Sequence, residues 1–235
     1  TAQSAIVTDL DTGEVLYRKG TGRARAIASI SKLMAIHVVL GRGVELGEDT
    51  EIILADVEAT RGGSRSRLEV GRRFTNRDLL HAALLGSDNR AVLALGRAVG
   101  LSRSGLTAAM NQEAARLGLT GMRFAEPTGI SHDNVAPPES VARLLAVTSQ
   151  TPGLAAISRK STYLTERRNS HGRPLQYTNT DRLAHDERWK VIVGKTGFNS
   201  AAGWCVAVAT ESAGRRLAFV VLGSRTKTAR FGDVR

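Results

Sequence analysis

Cysteine occurs once in the 235 residues. That excludes an internal disulfide, and Cys205, set in the apolar run Trp204-Cys-Val-Ala-Val-Ala209, reads as a small core residue. The five histidines (His37, His81, His132, His171 and His185) show no metal-ligand spacing and adjoin no Cys or Glu cluster, so no metal is expected. Aromatics make up 4% of the chain and no nucleic-acid-reading module is recognisable. A nucleic acid is therefore not the expected partner, despite a net charge of +11. Lysine is scarce: it supplies six of the 33 basic residues, and the arginines are densest at Arg61, Arg65, Arg67, Arg72 and Arg73. That balance suits an acidic polymer, or no more than a solvated basic surface. No apolar run approaches the ~18 residues of a membrane span, and there is no internal repeat, low-complexity tract or linker. The chain starts at Thr1 without a signal-peptide pattern, so a leader is expected to have been removed or left out.

Three short motifs are present in order: Ser29-Ile-Ser-Lys32, Ser87-Asp-Asn89 and Lys195-Thr-Gly197. From the first motif onward apolar residues recur at Ile30, Leu33, Met34 and Val38, with Gly41 as a stop, so Ser29 is expected in the first turn of a buried helix. Lys32 then shares its face. A serine hydroxyl is a weak nucleophile until a neighbouring base takes its proton, and a lysine can do so if burial or a second cation, here Lys195, lowers its pKa. Alone, Ser29 would be a helix cap and Lys32 a solvated charge; the other two motifs weigh against that. In the second motif, Gly86-Ser-Asp-Asn89 interrupts a helix begun by the Thr75-Asn-Arg-Asp78 capping signal, which puts Ser87 and Asn89 in a tight inter-helix turn. The third follows the apolar run Val191-Ile-Val193. Gly197 would weaken a strand unless something approaches its backbone closely, such as a substrate lying along the strand.

Strand signals cluster at both ends of the chain: Ser4 to Asp9, Glu14 to Tyr17, and three late runs through Val193, Ala209 and Leu222. The middle, from Ile30 to about Ser149, reads as helical. The expected topology is a sheet built from both termini around a helical insert: one domain over residues 1–235, with an α/β (α+β) part at about 1–28 and 150–235 and a helical part at about 29–149.

With these motifs, and with Arg65-Ser-Arg-Leu-Glu-Val-Gly71, Phe124-Ala-Glu-Pro-Thr-Gly129 and Gly194-Lys-Thr-Gly-Phe198, the chain resembles the low-molecular-weight penicillin-binding proteins, serine D-alanyl-D-alanine carboxypeptidases and endopeptidases. The similarity runs from Ala5 to Gly232 and is greatest to the short endopeptidase type, with no C-terminal β-domain. The resemblance implies a β-lactamase/transpeptidase-like fold, a five-stranded antiparallel sheet flanked by helices with an all-helical insert region. It also implies an extracytoplasmic or periplasmic enzyme acting on peptidoglycan stem peptides through an acyl-serine, inhibited covalently by β-lactams, with no cofactor. Ser29 would be the nucleophile and Lys32 its base. Ser87 would relay the proton to the leaving amine and Asn89 bond the substrate backbone. Lys195 would stabilise negative charge, and Thr196 and Arg230 would hold a substrate carboxylate. The backbone N–H groups of Ser29 and Phe198, beside Gly197, would form the oxyanion hole. A serine β-lactamase is the alternative. Class A enzymes add a Glu with an Asn three residues on, and here Glu126 is followed by Gly129.

Overall fold

The computed structural model describes residues 1–212 and 214–234. The chain opens with a hairpin, β1 (Ser4–Asp9) and β2 (Val15–Lys19), closed by a turn in which the Asp9 carboxylate accepts the backbone N–H groups of Asp11 and Thr12. β3 (Arg25–Ala26), a 3-10 turn (Ala28–Ile30) and α1 (Ser31–Gly41) follow. The helix therefore starts two residues later than the apolar spacing predicts. The Ser31 hydroxyl, donating to the Ala28 carbonyl at 2.8 Å, helps hold the tighter turn around Ser29.

Next come β4 (Asp49–Glu51), α2 (Leu54–Ala59), β5 (Arg73–Thr75), α3 (Asn76–Leu84), α4 (Asn89–Ala98) and α5 (Arg103–Arg116). Thr75 caps α3, its hydroxyl accepting the Asp78 N–H at 3.0 Å. Asp88 caps α4, accepting from Arg90 N at 3.0 Å and Ala91 N at 3.3 Å. β6 (Val135–Ala136) pairs with β3. After α6 (Pro138–Ser149) and α7 (Leu154–Ser158) come β7 (Thr162–Arg168) and β8 (Pro174–Thr178), a 3-10 turn (Arg182–His185), β9 (Lys190–Asn199), β10 (Gly203–Ser212), β11 (Arg215–Ser224) and α8 (Ala229–Gly232).

The main sheet has five antiparallel strands in the order β2-β1-β11-β10-β9, joining both ends of the chain as the sequence predicts. On one face α6 lies across β1, β10 and β11, sharing with α1, α3 and α4 the core that holds Leu33, Met34, Leu80, Leu95, Leu144 and Val220. On the other face Ala2, Ala5, Val206, Val208, Phe231 and Val234 pack together. Covered on both sides, β10 reads as an almost unbroken apolar run. β9 is an edge strand, and it borders the cleft described below.

The β7–β8 hairpin has no clear counterpart in the sequence pattern, because most of its residues face solvent. Polar anchors fasten it. Buried Asp78 accepts from Tyr163 Oη at 3.0 Å, Glu166 N at 2.7 Å and Arg167 N at 3.0 Å, and His81 stacks on Tyr163 with ring centroids 3.6 Å apart. Arg67 donates to the Gln176 carbonyl and Arg72 to the carbonyls of Arg168 and Asn169. Part of the arginine-dense segment thus stitches this hairpin down.

Candidate active site

Ser29 enters the cleft from the 3-10 turn, and backbone of unusual conformation holds it there. Ala28 adopts a φ of +46°, one of two non-glycine residues with positive φ among those described; the other is Ser87, at +58°. L-residues pay for that region, so surrounding contacts must enforce it. Gly129 and Gly197 supply them. A Cβ on Gly129 (φ +86°) would lie 2.1 Å from the Ala28 carbonyl oxygen, and one on Gly197 would lie 2.8 Å from that of Ile27 and 3.2 Å from Ser29 N. Gly197 is therefore needed because the turn that carries Ser29 presses on β9, and not only for a substrate along the strand. This contact brings the backbone of Ser29 up to the strand that carries Phe198.

Lys32 is fully buried. Its Nζ lies 3.0 Å from Ser29 Oγ, 2.6 Å from Asn89 Oδ1 and 2.5 Å from the Thr128 carbonyl oxygen. Two of these neighbours, an amide oxygen and a carbonyl, can only accept. A neutral Lys32 amine donates one hydrogen to each and turns its lone pair to the Ser29 hydroxyl. Burial lowers Lys32 to about 8, against the opposing pull of Glu126 and Asp88. Lys195, equally inaccessible, donates to the Thr196 carbonyl at 3.1 Å. Burial first, then the charges of Lys32 and Arg230, push it well below the ordinary lysine range, while Asp181 holds it up. Desolvation, rather than Lys195, accounts for the lowering of Lys32.

A cleft of about 900 Å³ spreads in front of these groups. Ser87, Thr196, Gly197, Phe198 and Arg230 line it with Ser29 and Asn89, so every residue the motifs single out lies in one place, with Lys195 just behind the wall. Thr196 Oγ1 bonds Thr180 Oγ1 at 2.7 Å. Arg230 donates to the carbonyls of Cys205 at 3.2 Å and Gly197 at 3.4 Å; its Nε has no partner among the described residues, and burial lowers it to about 10. Phe198 is 52% exposed and stacks on Trp204, centroids 4.0 Å apart. Among the described residues no acidic side chain lines the cleft, whereas Arg182, Lys227, His132 and His185 do. The two histidines bond Ser200 and Asn179 and not Ser29.

A hydroxyl bonded to a buried low-pKa amine, beside a strand edge with free backbone and a cationic wall, is equipped to acylate itself with a carboxylate-bearing substrate. Comparison with known proteins agrees. The family model described as D-alanyl-D-alanine carboxypeptidase, Peptidase S11, matches residues 1–226. The chain belongs to the S11 peptidases. The chain is 35% identical over 230 residues to a D-alanyl-D-alanine endopeptidase of Pseudomonas aeruginosa and 32% identical over 230 residues to one of Escherichia coli. In each case the match takes in 98% of this chain and 74% of the relative. A solved mutant of the Streptomyces K15 DD-transpeptidase superposes with a TM-score of 0.90 at 24% identity, over 99% of this chain and 94% of that one. This S11 member is thus a serine peptidase, a hydrolase with the penicillin-binding-protein fold.

The β-lactamase alternative loses its candidate base. Both Glu126 oxygens are occupied by the loop that follows it: Oε2 accepts Thr128 N at 2.7 Å and Thr128 Oγ1 at 2.6 Å, and Oε1 accepts Gly129 N at 2.5 Å. Glu126 shapes the turn that presents the Thr128 carbonyl to Lys32. That carbonyl escapes sequence reading because a backbone acceptor leaves no side-chain signal. Asn134 escapes it too; it ties Ser31 Oγ, at 2.9 Å, to the Glu126 carbonyl, at 2.8 Å. Gly63 is a third, since a Cβ there would meet Asn89 Nδ2 at 2.4 Å, so residues 62–64 strap the Asn89 side of the cleft.

Proposed function

We propose that this S11 peptidase cleaves D-alanyl crosslinks between peptidoglycan stem peptides outside the cytoplasm, through an ester on Ser29. The observation that carries the mechanism is the Lys32 amine with two obligatory acceptors and the Ser29 hydroxyl as its third neighbour. Lys32 takes the Ser29 proton as Oγ attacks the D-Ala carbonyl. The oxyanion is received by the N–H groups of Ser29 and Phe198, and Ser87 passes the proton to the leaving amine. Asn89 bonds the substrate backbone, and Thr196 and Arg230 take the carboxylate beside the scissile bond. As that carboxylate settles near Lys195 it favours the protonated form of Lys195, and repulsion between the two lysines then keeps Lys32 neutral. Water afterwards hydrolyses the ester.

Two facts favour a crosslink over a terminal D-Ala-D-Ala. The relatives at 35% and 32% identity are endopeptidases. The cationic wall also continues past Arg230 to the exposed side chains of Arg182 and Lys227, which suits a leaving stem peptide with further carboxylates. The test is a purified crosslinked muropeptide dimer and a D-Ala-D-Ala-terminated monomer, supplied at equal concentration with products read by mass spectrometry. Faster cleavage of the dimer is expected; release of D-Ala alone would make the enzyme a carboxypeptidase. Benzylpenicillin should add its full mass to the peptide containing Ser29, and not to the Ser29→Ala variant.

A further inference from the structure

The Ser87 hydroxyl bonds no other group among the described residues. What places its Oγ is therefore the backbone beneath it, held at a φ of +58°. A hydroxyl that relays a proton must stay within hydrogen-bond reach of its partners, and a positive φ on serine persists only where the surroundings enforce it. Contacts on both sides do so. Before the turn, Thr180 N donates to the Leu85 carbonyl at 3.1 Å. After it, Asp88 N donates to the Ala82 carbonyl at 3.0 Å, and Asp88 Oδ2 accepts from Ser66 Oγ at 2.6 Å. Between them Gly86 meets the ring of Tyr177 on β8. A Cβ on Gly86 would lie 2.4 Å from Tyr177 Cδ1 and 2.9 Å from Cε1.

Tyr177 is 3% exposed, and its buried hydroxyl has no hydrogen-bond partner among the described residues. An unpaired buried hydroxyl costs stability, so what Tyr177 contributes is its ring. Arg67 stands over that ring, with Cζ 4.7 Å from the centroid, and is tied down by its bond to the Gln176 carbonyl. Arg90, in the first turn of α4, donates to the Leu68 carbonyl at 2.6 Å. Residues 66–68, part of the Arg65–Gly71 stretch, thus grip the Ser87 turn twice, through Ser66 on Asp88 and through Arg67 on Tyr177. We propose that Tyr177 is a positioning residue for proton transfer to the leaving amine: its ring, held under Arg67, wedges against Gly86 and fixes the backbone from which the Ser87 hydroxyl reaches into the cleft. This rests on the relay role of Ser87 given above.

Opening of benzylpenicillin calls for the same proton, because the lactam nitrogen leaves as an amine. Ser87→Ala should therefore slow acylation by about a hundredfold or more. Tyr177→Leu, which keeps apolar bulk but not the flat ring, should slow it by about tenfold or more. In a Ser87→Ala background the same change should cost no more than about twofold, since a residue that acts through Ser87 then has nothing to act on. Tyr177→Phe keeps the ring and sheds the unpaired hydroxyl, so it should acylate within about twofold of the parent and melt no lower. A loss by the same factor in both backgrounds would make Tyr177 an ordinary core residue and overturn the proposal. A leucine variant as fast as the parent, or a phenylalanine variant as slow as the leucine one, would overturn it too. Should Tyr177→Leu not fold, Gly86→Ala takes its place in the same two backgrounds, because its methyl group would press on Tyr177 Cδ1; an equal loss in both is again the overturning result. A Ser87→Ala variant that acylates as fast as the parent would instead remove the relay itself, and the proposal with it.

Discussion

At Lys32, charge and proton transfer can be separated by substitution. Lys32→Arg keeps a cation but cannot give up its proton near neutral pH, and the larger guanidinium must compete for the acceptors Asn89 Oδ1 and Thr128 O. Acylation by benzylpenicillin should fall by about a thousandfold or more while circular dichroism stays native. A loss under about tenfold would mean that another group takes the Ser29 proton. The pH dependence has a fixed sign. The amine is active when neutral, so the parent's acylation rate should climb with pH and level off above the value of about 8 to which burial lowers Lys32. Nearly all side chains that gather at this site were legible in the sequence, because the roles proposed for them, nucleophile, base, amide and second ammonium, call for those residue types. Less legible were atoms without a type: the Thr128 carbonyl and the backbone of Ala28 at φ +46°.

Elements show the same division. The late strands of the main sheet announce themselves as apolar runs and α3 through its Thr75 cap, since burial imposes a pattern. The β7–β8 hairpin does not, because three hydrogen bonds to Asp78 and arginine contacts hold it in place of an apolar face. Asp78→Ala should leave the Glu166 and Arg167 N–H groups and the Tyr163 hydroxyl without their acceptor. An overall destabilisation of about 2–4 kcal/mol is expected in urea unfolding, with hydrogen exchange fastest at the amides of Glu166 and Arg167. Protection unchanged at those amides would show that the hairpin is held by other means. In the turn opposite Ser29, Gly129→Ala combines a positive φ with a 2.1 Å clash against the Ala28 carbonyl. It should lower acylation more than tenfold even where the protein remains folded, because the turn that carries Ser29 must shift to admit the methyl group.

For the whole molecule, the decisive kinetic contrast is between two esters on one serine. With Glu126 committed to its loop, no carboxylate base stands ready to drive water onto a penicilloyl group, whose retained leaving amine also blocks the approach. Excess benzylpenicillin should give one stoichiometric burst and then hydrolysis over minutes to hours, while D-Ala peptides turn over repeatedly. Penicillin turnover near the ~10 s⁻¹ of ordinary enzymes would contradict this. The arginine stitching has a consequence at the same scale. Arg67, Arg72 and Arg90 donate to backbone carbonyls, which are neutral acceptors, so structural use of these guanidinium groups cancels none of the net charge of +11. The molecule keeps a long-range positive field while some of its guanidinium groups hold the hairpin. Diffusing through a polyanionic mesh, such a particle is drawn in before its cleft meets any bond and is retained between encounters. Raising the ionic strength shortens the ~8 Å reach of that field at physiological salt and slows capture, with the folded structure left as it was.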